Sequence, residues 1–158
     1  AHRPRREGTP MSNQHLTVVH NRHPICAGIP PTYDDTMVAC AHNLKFDDGR
    51  ALFRNGEEAA HSFLIRQGRV RLVVHGVEVV ETAEEGDLVG WSWLFPPQRY
   101  HFDAIAAGPV RAFQFDGGCL RRKCEAEPAF GFELTRRILE QATRRLERSR
   151  LQALDVYR

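Results

Sequence analysis

Between residues 43 and 116 apolar side chains come in short runs closed by turn residues, among them Asp48-Gly49, Asn55-Gly56, Gly68, Gly86-Asp87, Pro96-Pro97 and Gly117-Gly118. The turn signals recur at intervals of roughly 8–12 residues, the spacing of an all-β barrel or jelly roll. Strands are expected near residues 43–46, 51–53, 62–67, 69–75, 77–81, 88–90, 100–106 and 110–116, which makes eight. In the 100–106 segment Tyr100, Phe102, Ala104 and Ala106 share one face, because strand side chains alternate.

Helices flank this region. An apolar stretch over 24–29 leads to Pro30-Pro31, and Thr32 with Asp35 three residues on has the spacing of a capping box for a helix over about 33–40. Met37, Val38 and Ala41 give that helix an apolar side. A short helix is expected over about 120–126, and after Pro128 the pattern becomes helical to the end. Phe132, Leu139, Leu146 and Ala153 recur every seven residues, with Thr135, Ala142, Ser149 and Val156 forming a second row three positions on. Two such rows are the seam of a coiled coil, and they predict a homodimer through the last helix. The alternative is a helix packed only on its own barrel. The expected division is a flexible segment over 1–22, a β-barrel domain with its N-terminal helix over 23–128, and a C-terminal helix over 129–158.

With 158 residues the chain is one domain's worth. Twenty-two Lys and Arg against twenty Asp and Glu leave a net charge of +2, too weak a balance to imply nucleic acid. The basic residues Arg144, Arg145, Arg148 and Arg150 read as a solvated helix face. No apolar run approaches the roughly 18 residues of a spanning helix and no signal peptide opens the chain, so no membrane association and a cytoplasmic location are expected. The segment ahead of Met11 has no apolar periodicity and is set aside from the fold.

Cys26, Cys40, Cys119 and Cys124 are scattered, and the one close pair, Cys119 and Cys124, would point its thiols about 140° apart on a helix. Buried reduced thiols are expected. The histidines, including His20, His23, His42, His61, His75 and His101, lack metal-ligand spacing, so no metal, haem or other cofactor is expected. The acidic pairs Asp34-Asp35, Asp47-Asp48 and Glu57-Glu58 are adjacent residues that face different ways, and no nucleophile, base and orienter can be picked out. The chain does not read as an enzyme.

The stretch from Gly86 to Ala106 carries the most specific signal: a glycine turn, two apolar residues, Gly90, a short helical segment closed by two prolines, and a return strand. With the glycine-marked strands at Phe46–Arg50 and Leu52–Glu57 and the apparent hairpin at Ser62–Leu72, it resembles the cyclic-nucleotide-binding domain of Crp/Fnr-type regulators. The likeness runs from about Cys40 to the end of the chain. It implies a β-barrel of jelly-roll type, a phosphate-binding cassette at Gly90, and a last helix that forms the dimer interface.

The resemblance also implies where a ligand would sit. Candidate contacts are Val89, Gly90, Trp91, Ser92, Trp93 and Leu94 in the cassette, Arg99, Tyr100, His101 and Phe102 on the return strand, and Ser149, at a position that touches the base in the family. The family's ribose acceptor is a glutamate directly after the glycine, where this chain has Trp91. Its phosphate partner is an arginine at the start of the return strand, a position that falls here on Tyr100, while the neighbouring Arg99 belongs to the opposite face. Two missing charge-assisted bonds of about 1.5–3 kcal/mol each weaken binding several hundred-fold or more. Tight binding of cyclic AMP or cyclic GMP is not expected.

Two readings of the aromatic cassette follow. Trp91, Trp93, Phe95 and Phe102 fill the cavity and the domain is structural, or they line a pocket for another small or planar effector, with Ser92, Arg99, Tyr100 and His101 as polar contacts. Either way the expected function is a non-catalytic regulatory or sensory module, acting through a small effector or a protein partner. The alternative is part of a Crp/Fnr-type transcriptional regulator, as a fragment or through a DNA-binding partner. No recognition helix follows the last helix, so sequence-specific DNA binding by this chain is not expected.

Overall fold

The computed structural model describes residues 5–6, 25–27, 29–74 and 78–156. His20, His23, His75 and most of the segment over 1–22 lie outside them. In chain order the elements are β1 (Arg5–Arg6), α1 (Pro31–Ala39), β2 (Ala41–Phe46), β3 (Ala51–Phe53), β4 (His61–Val74), β5 (Glu78–Ala83), β6 (Leu88–Val89), a 3-10 turn (Trp91–Leu94), β7 (Asp103–Asp116), α2 (Gly117–Ala126) and α3 (Pro128–Val156).

The strands form one antiparallel sheet in the order β1-β2-β7-β4-β5, with β3 also on β7 and β6 also on β4. Two 14-residue strands organise it. The first half of β4 pairs with β6 and the second with β5, while β7 pairs first with β3 and then with β2. The expected strand count of eight is therefore corrected to seven among the described residues. Segments 62–67 and 69–75 are one strand, and so are the later parts of the two expected near 100–106 and 110–116. Gly68 does not turn a hairpin. Its φ of +93° lies inside β4 where the register to β7 slips, and an added Cβ there would meet the Pro109 carbonyl. A β-bulge and a tight turn both ask for positive φ, and here the bulge is what the glycine serves.

Other local expectations need similar correction. α1 starts at Pro31 with Pro30 as its cap and no side-chain capping bond, so Thr32 lies inside the helix rather than heading it. Proline at the first helical position has a fixed φ suited to that start and no N–H left to satisfy. Gly117-Gly118 open α2 instead of merely ending the sheet, and the Asp116 carboxylate caps that helix by accepting from the Cys119 N–H at 2.6 Å. Arg5–Arg6, in the segment set aside, pairs with Lys45 and Leu44 of β2.

Cys40 and Cys119 are joined as a disulfide with a Cα–Cα distance of 5.7 Å, contrary to the expected reduced thiols. The cause is topological: β2 lies antiparallel on the end of β7, with Ala41 opposite Phe115, which brings the end of α1 to the start of α2 across 79 residues. On the chain-entropy account a closed loop of that size is worth about 4–5 kcal/mol. Cys26 and Cys124 are free, and burial pushes both thiols above their usual range.

The interior is lined by Leu44, Phe46, Phe53, Phe63, Ile65, Val70, Leu72, Ala104, Ala106 and Val110. α3 lies against the strand assembly and the other helices through Phe130, Leu134, Ile138, Gln141 and Arg145, with Phe130 packed on Tyr33 of α1 at 5.3 Å. Among the described residues no helix is long and apolar enough to cross a membrane.

Candidate functional site

The cassette begins where β6 ends. Leu88 and Val89 pair with Leu64 and Phe63 of β4 and are buried, and Gly90 then turns the chain at φ +83° into the 3-10 turn. A Cβ on Gly90 would sit 3.0 Å from the Phe53 ring and 3.2 Å from the Tyr100 ring, so the position is closed to other residues by space as well as by φ.

The four cassette aromatics do not share one fate. Trp93 is 1% exposed and packs on the first turn of α2, where a Cβ at Gly117 would come within 2.6 Å of its ring. Phe95, expected to fill the cavity, is instead exposed at the rim. Trp91 is half-buried and lies under the Arg145 guanidinium of α3, 5.0 Å from ring centre to carbon. Phe102 is half-buried against Phe53 at 5.6 Å. Ser92 and Leu94 between them are half-buried as well.

Tyr100 fills the interior. Its ring stacks on Phe53 at 3.9 Å, its hydroxyl donates to the His61 carbonyl at 2.5 Å and accepts from the His61 N–H at 3.1 Å. Burial raises its pKa to about 12, so the phenol is neutral throughout the physiological range and offers no charge to a ligand. His61, half-buried beside it, is held below the usual histidine range chiefly by burial. Arg99 is exposed and donates to the Gly56 carbonyl at 2.8 Å, pointing away from the side taken by Tyr100. His101 is exposed too, and the regular strand resumes only at Asp103.

Three residues tie α3 to this region, one of which, Gln141, the sequence reading passed over, while it placed the other two, Arg145 and Arg148, on a solvated face. Gln141 accepts from the Leu88 N–H at 2.7 Å and donates to the Gly86 carbonyl at 3.2 Å. Arg145, assigned from sequence to a solvated face, is 5% exposed. It forms a forked pair with Glu81 of β5, at 2.6 and 3.1 Å, and donates to the Leu88 carbonyl at 2.8 Å. Arg148 adds a looser contact to Asp87 at 3.4 Å. The signal that could have found Gln141 and Arg145 is the spacing 130, 134, 138, 141, 145, which is one helical stripe with two polar members at its end.

Ser149 is half-buried one turn beyond Arg145. Of the two heptad rows, Phe132, Leu139 and Leu146 are 70%, 65% and 51% exposed, Thr135 and Ala153 are exposed, and Ala142 and Ser149 are half-buried. The side chain of Val156 lies outside the described residues. The rows thus occupy the flank of α3 that the strand assembly does not cover. Among the described residues no group of three or more His, Cys, Asp and Glu side chains is arranged to hold a metal ion.

The sequence profile of the cyclic nucleotide-binding domain matches residues 43–127. Among curated proteins no relative matches the sequence. Solved structures similar in fold include a protein from Geobacter metallireducens assigned to the cyclic nucleotide-binding proteins, at 24% identity and a TM-score of 0.77, covering 86% of this chain and 98% of that one. The sensor domain of the transcriptional regulator DNR from Pseudomonas aeruginosa is similar at 19% identity and 0.66, over 81% and 91%. The regulatory subunit of a cAMP-independent protein kinase A from Trypanosoma brucei is similar at 18% and 0.68, over 87% of this chain and 49% of that one.

Proposed function

Because the chain belongs to the cyclic nucleotide-binding domain family, we propose that it is a non-catalytic, cytoplasmic regulatory module whose cassette is occupied by its own side chains and whose output is a homodimer through α3. In this reading the sheet closes as a jelly roll, supported by the way the halves of β4 and β7 pair with different partners. The observation that carries the function is the double role of one helix. Gln141 and Arg145 hold α3 on the cassette backbone, while Phe132, Leu139 and Leu146 leave an apolar row facing outward. Whatever moves the cassette moves the seam.

The aromatic residues support an input other than a cyclic nucleotide. By the family resemblance Tyr100 falls at the position of the phosphate partner and Trp91 at that of the ribose acceptor; the Tyr100 hydroxyl is tied to the His61 backbone, and Arg99 is exposed and bonded to the Gly56 carbonyl. The partly exposed edges of Trp91 and Phe102, beside the filled interior, leave room for contact with a small planar effector, and the exposed Phe95 suits a protein partner. A kinase regulatory subunit of this fold that is cAMP-independent sets a parallel. As a second reading, the likeness to the DNR sensor domain favours a role within a Crp/Fnr-type transcriptional regulator, the DNA-binding function being supplied elsewhere.

Sedimentation tests the dimer. The intact chain is expected to sediment as a dimer at micromolar concentration and Leu146→Asp as a monomer, because a carboxylate in a dry seam costs several kcal/mol. Leu146 is exposed in the single chain, so the substitution leaves the barrel intact and its circular dichroism unchanged. A wild-type monomer at that concentration would remove the dimer from the account.

A further inference from the structure

We propose that the Cys40–Cys119 disulfide is a thiol-operated lock on the cassette, and that its reduction loosens the surface on which Trp93 rests. The argument is positional and does not depend on what the cassette binds. Cys119 is the third residue of α2, and Gly117, two positions before it, is the surface against which the buried Trp93 ring packs. Cys40 caps the end of α1 and is itself anchored, its carbonyl accepting from the Asp116 N–H at 2.9 Å. The bond therefore clamps the first turn of α2 from one side while Trp93 presses on it from the other.

The same helix leads to the seam. The break between α2 and α3 is a single residue, Glu127, bridged by the Glu127 N–H to the Lys123 carbonyl and the Gly131 N–H to the Glu127 carbonyl. A first turn freed at Cys119 can thus shift against both Trp93 and α3. Cys119 is half-buried whereas Cys40 is 2% exposed, which directs an attacking thiol to Cys119. A low-molecular-weight thiolate such as glutathione attacks the Cys119 sulfur, the protein S–S bond breaks, and Cys40 leaves as a thiolate and takes up a proton. A second glutathione thiolate then attacks the mixed disulfide and releases glutathione disulfide and the Cys119 thiol. Two electrons pass from two glutathiones to the protein, and oxidation runs the sequence backwards. Cys26 is fully buried and Cys124 lies against Gly131 of α3, so neither belongs to the couple.

The test uses the full chain in glutathione buffers of graded composition. Thiol titration after denaturation is expected to give two free thiols in the oxidised chain and four in the reduced one, reversibly, with far-ultraviolet circular dichroism unchanged. Reduction is expected to accelerate amide exchange at residues 117–120 by about tenfold or more and to shift tryptophan emission. Cys119→Ala should reproduce the exchange and emission of the reduced chain in every buffer, and Cys26→Ser with Cys124→Ser should leave the response intact. Four thiols under oxidising glutathione would overturn the proposal. So would equal exchange and emission in the two states, or global unfolding on reduction, since either makes the bond a fixed staple rather than a lock.

Discussion

Arg145→Ala is expected to lower stability by about 3–5 kcal/mol, because it strands the Glu81 carboxylate, only 18% exposed, without its forked partner. In a chain of this size that is a fall in melting temperature of roughly 10 °C or more. The same change removes the cation above Trp91, so the emission of Trp91 should shift. Glu81→Leu combined with Arg145→Met replaces both charges with apolar groups of similar length, and most of the stability should return. Thermal melts of Arg145→Ala and of the double variant measure this. If Arg145→Ala costs no more than a surface substitution, α3 is not held on the cassette as described.

The second large effect is at Trp93. Trp93→Ala is expected to cost about 3–5 kcal/mol, the range for emptying a fully buried aromatic site. Trp91→Ala, on a half-buried ring, should cost less, about 1–2 kcal/mol from the smaller apolar area it covers. Gly117→Ala probes the same contact from the other side. Its methyl would stand 2.6 Å from the indole, and such overpacking costs about 1–3 kcal/mol. Denaturant melts rank the three changes, and equal costs at Trp91 and Trp93 would contradict the assignment of one to the core and the other to a half-buried position under Arg145.

These two sites also mark the limit of what the sequence discloses. The short apolar runs and their glycines give the β architecture and the cassette outline, since both are local properties. The alternation expected of a strand from 100 onward gives the right sides for Tyr100, buried, and Arg99, exposed, although the regular strand begins only at Asp103. Gly68 was ambiguous, because positive φ serves a hairpin turn and a bulge equally, and the difference lies in Pro109, some forty residues further along. Arg145 looks like any surface arginine until Glu81, 64 residues earlier, is laid beside it. The Cys40–Cys119 pair is likewise created by the β2–β7 ladder and by nothing in the spacing of the cysteines. Phe95 misled in the opposite direction, as an aromatic close to the buried Trp93 that is itself exposed.

The central claim, that this cassette has given its ligand space and ligand contacts to its own side chains, is tested most directly by calorimetric titration of the intact chain with cyclic AMP and with cyclic GMP. The account predicts no saturable heat up to high micromolar nucleotide, because two charge-assisted contacts of about 1.5–3 kcal/mol each are missing and Tyr100 is stacked on Phe53. Micromolar binding of either nucleotide, abolished by Arg99→Ala, would contradict it by showing that Arg99 turns inward to receive the phosphate.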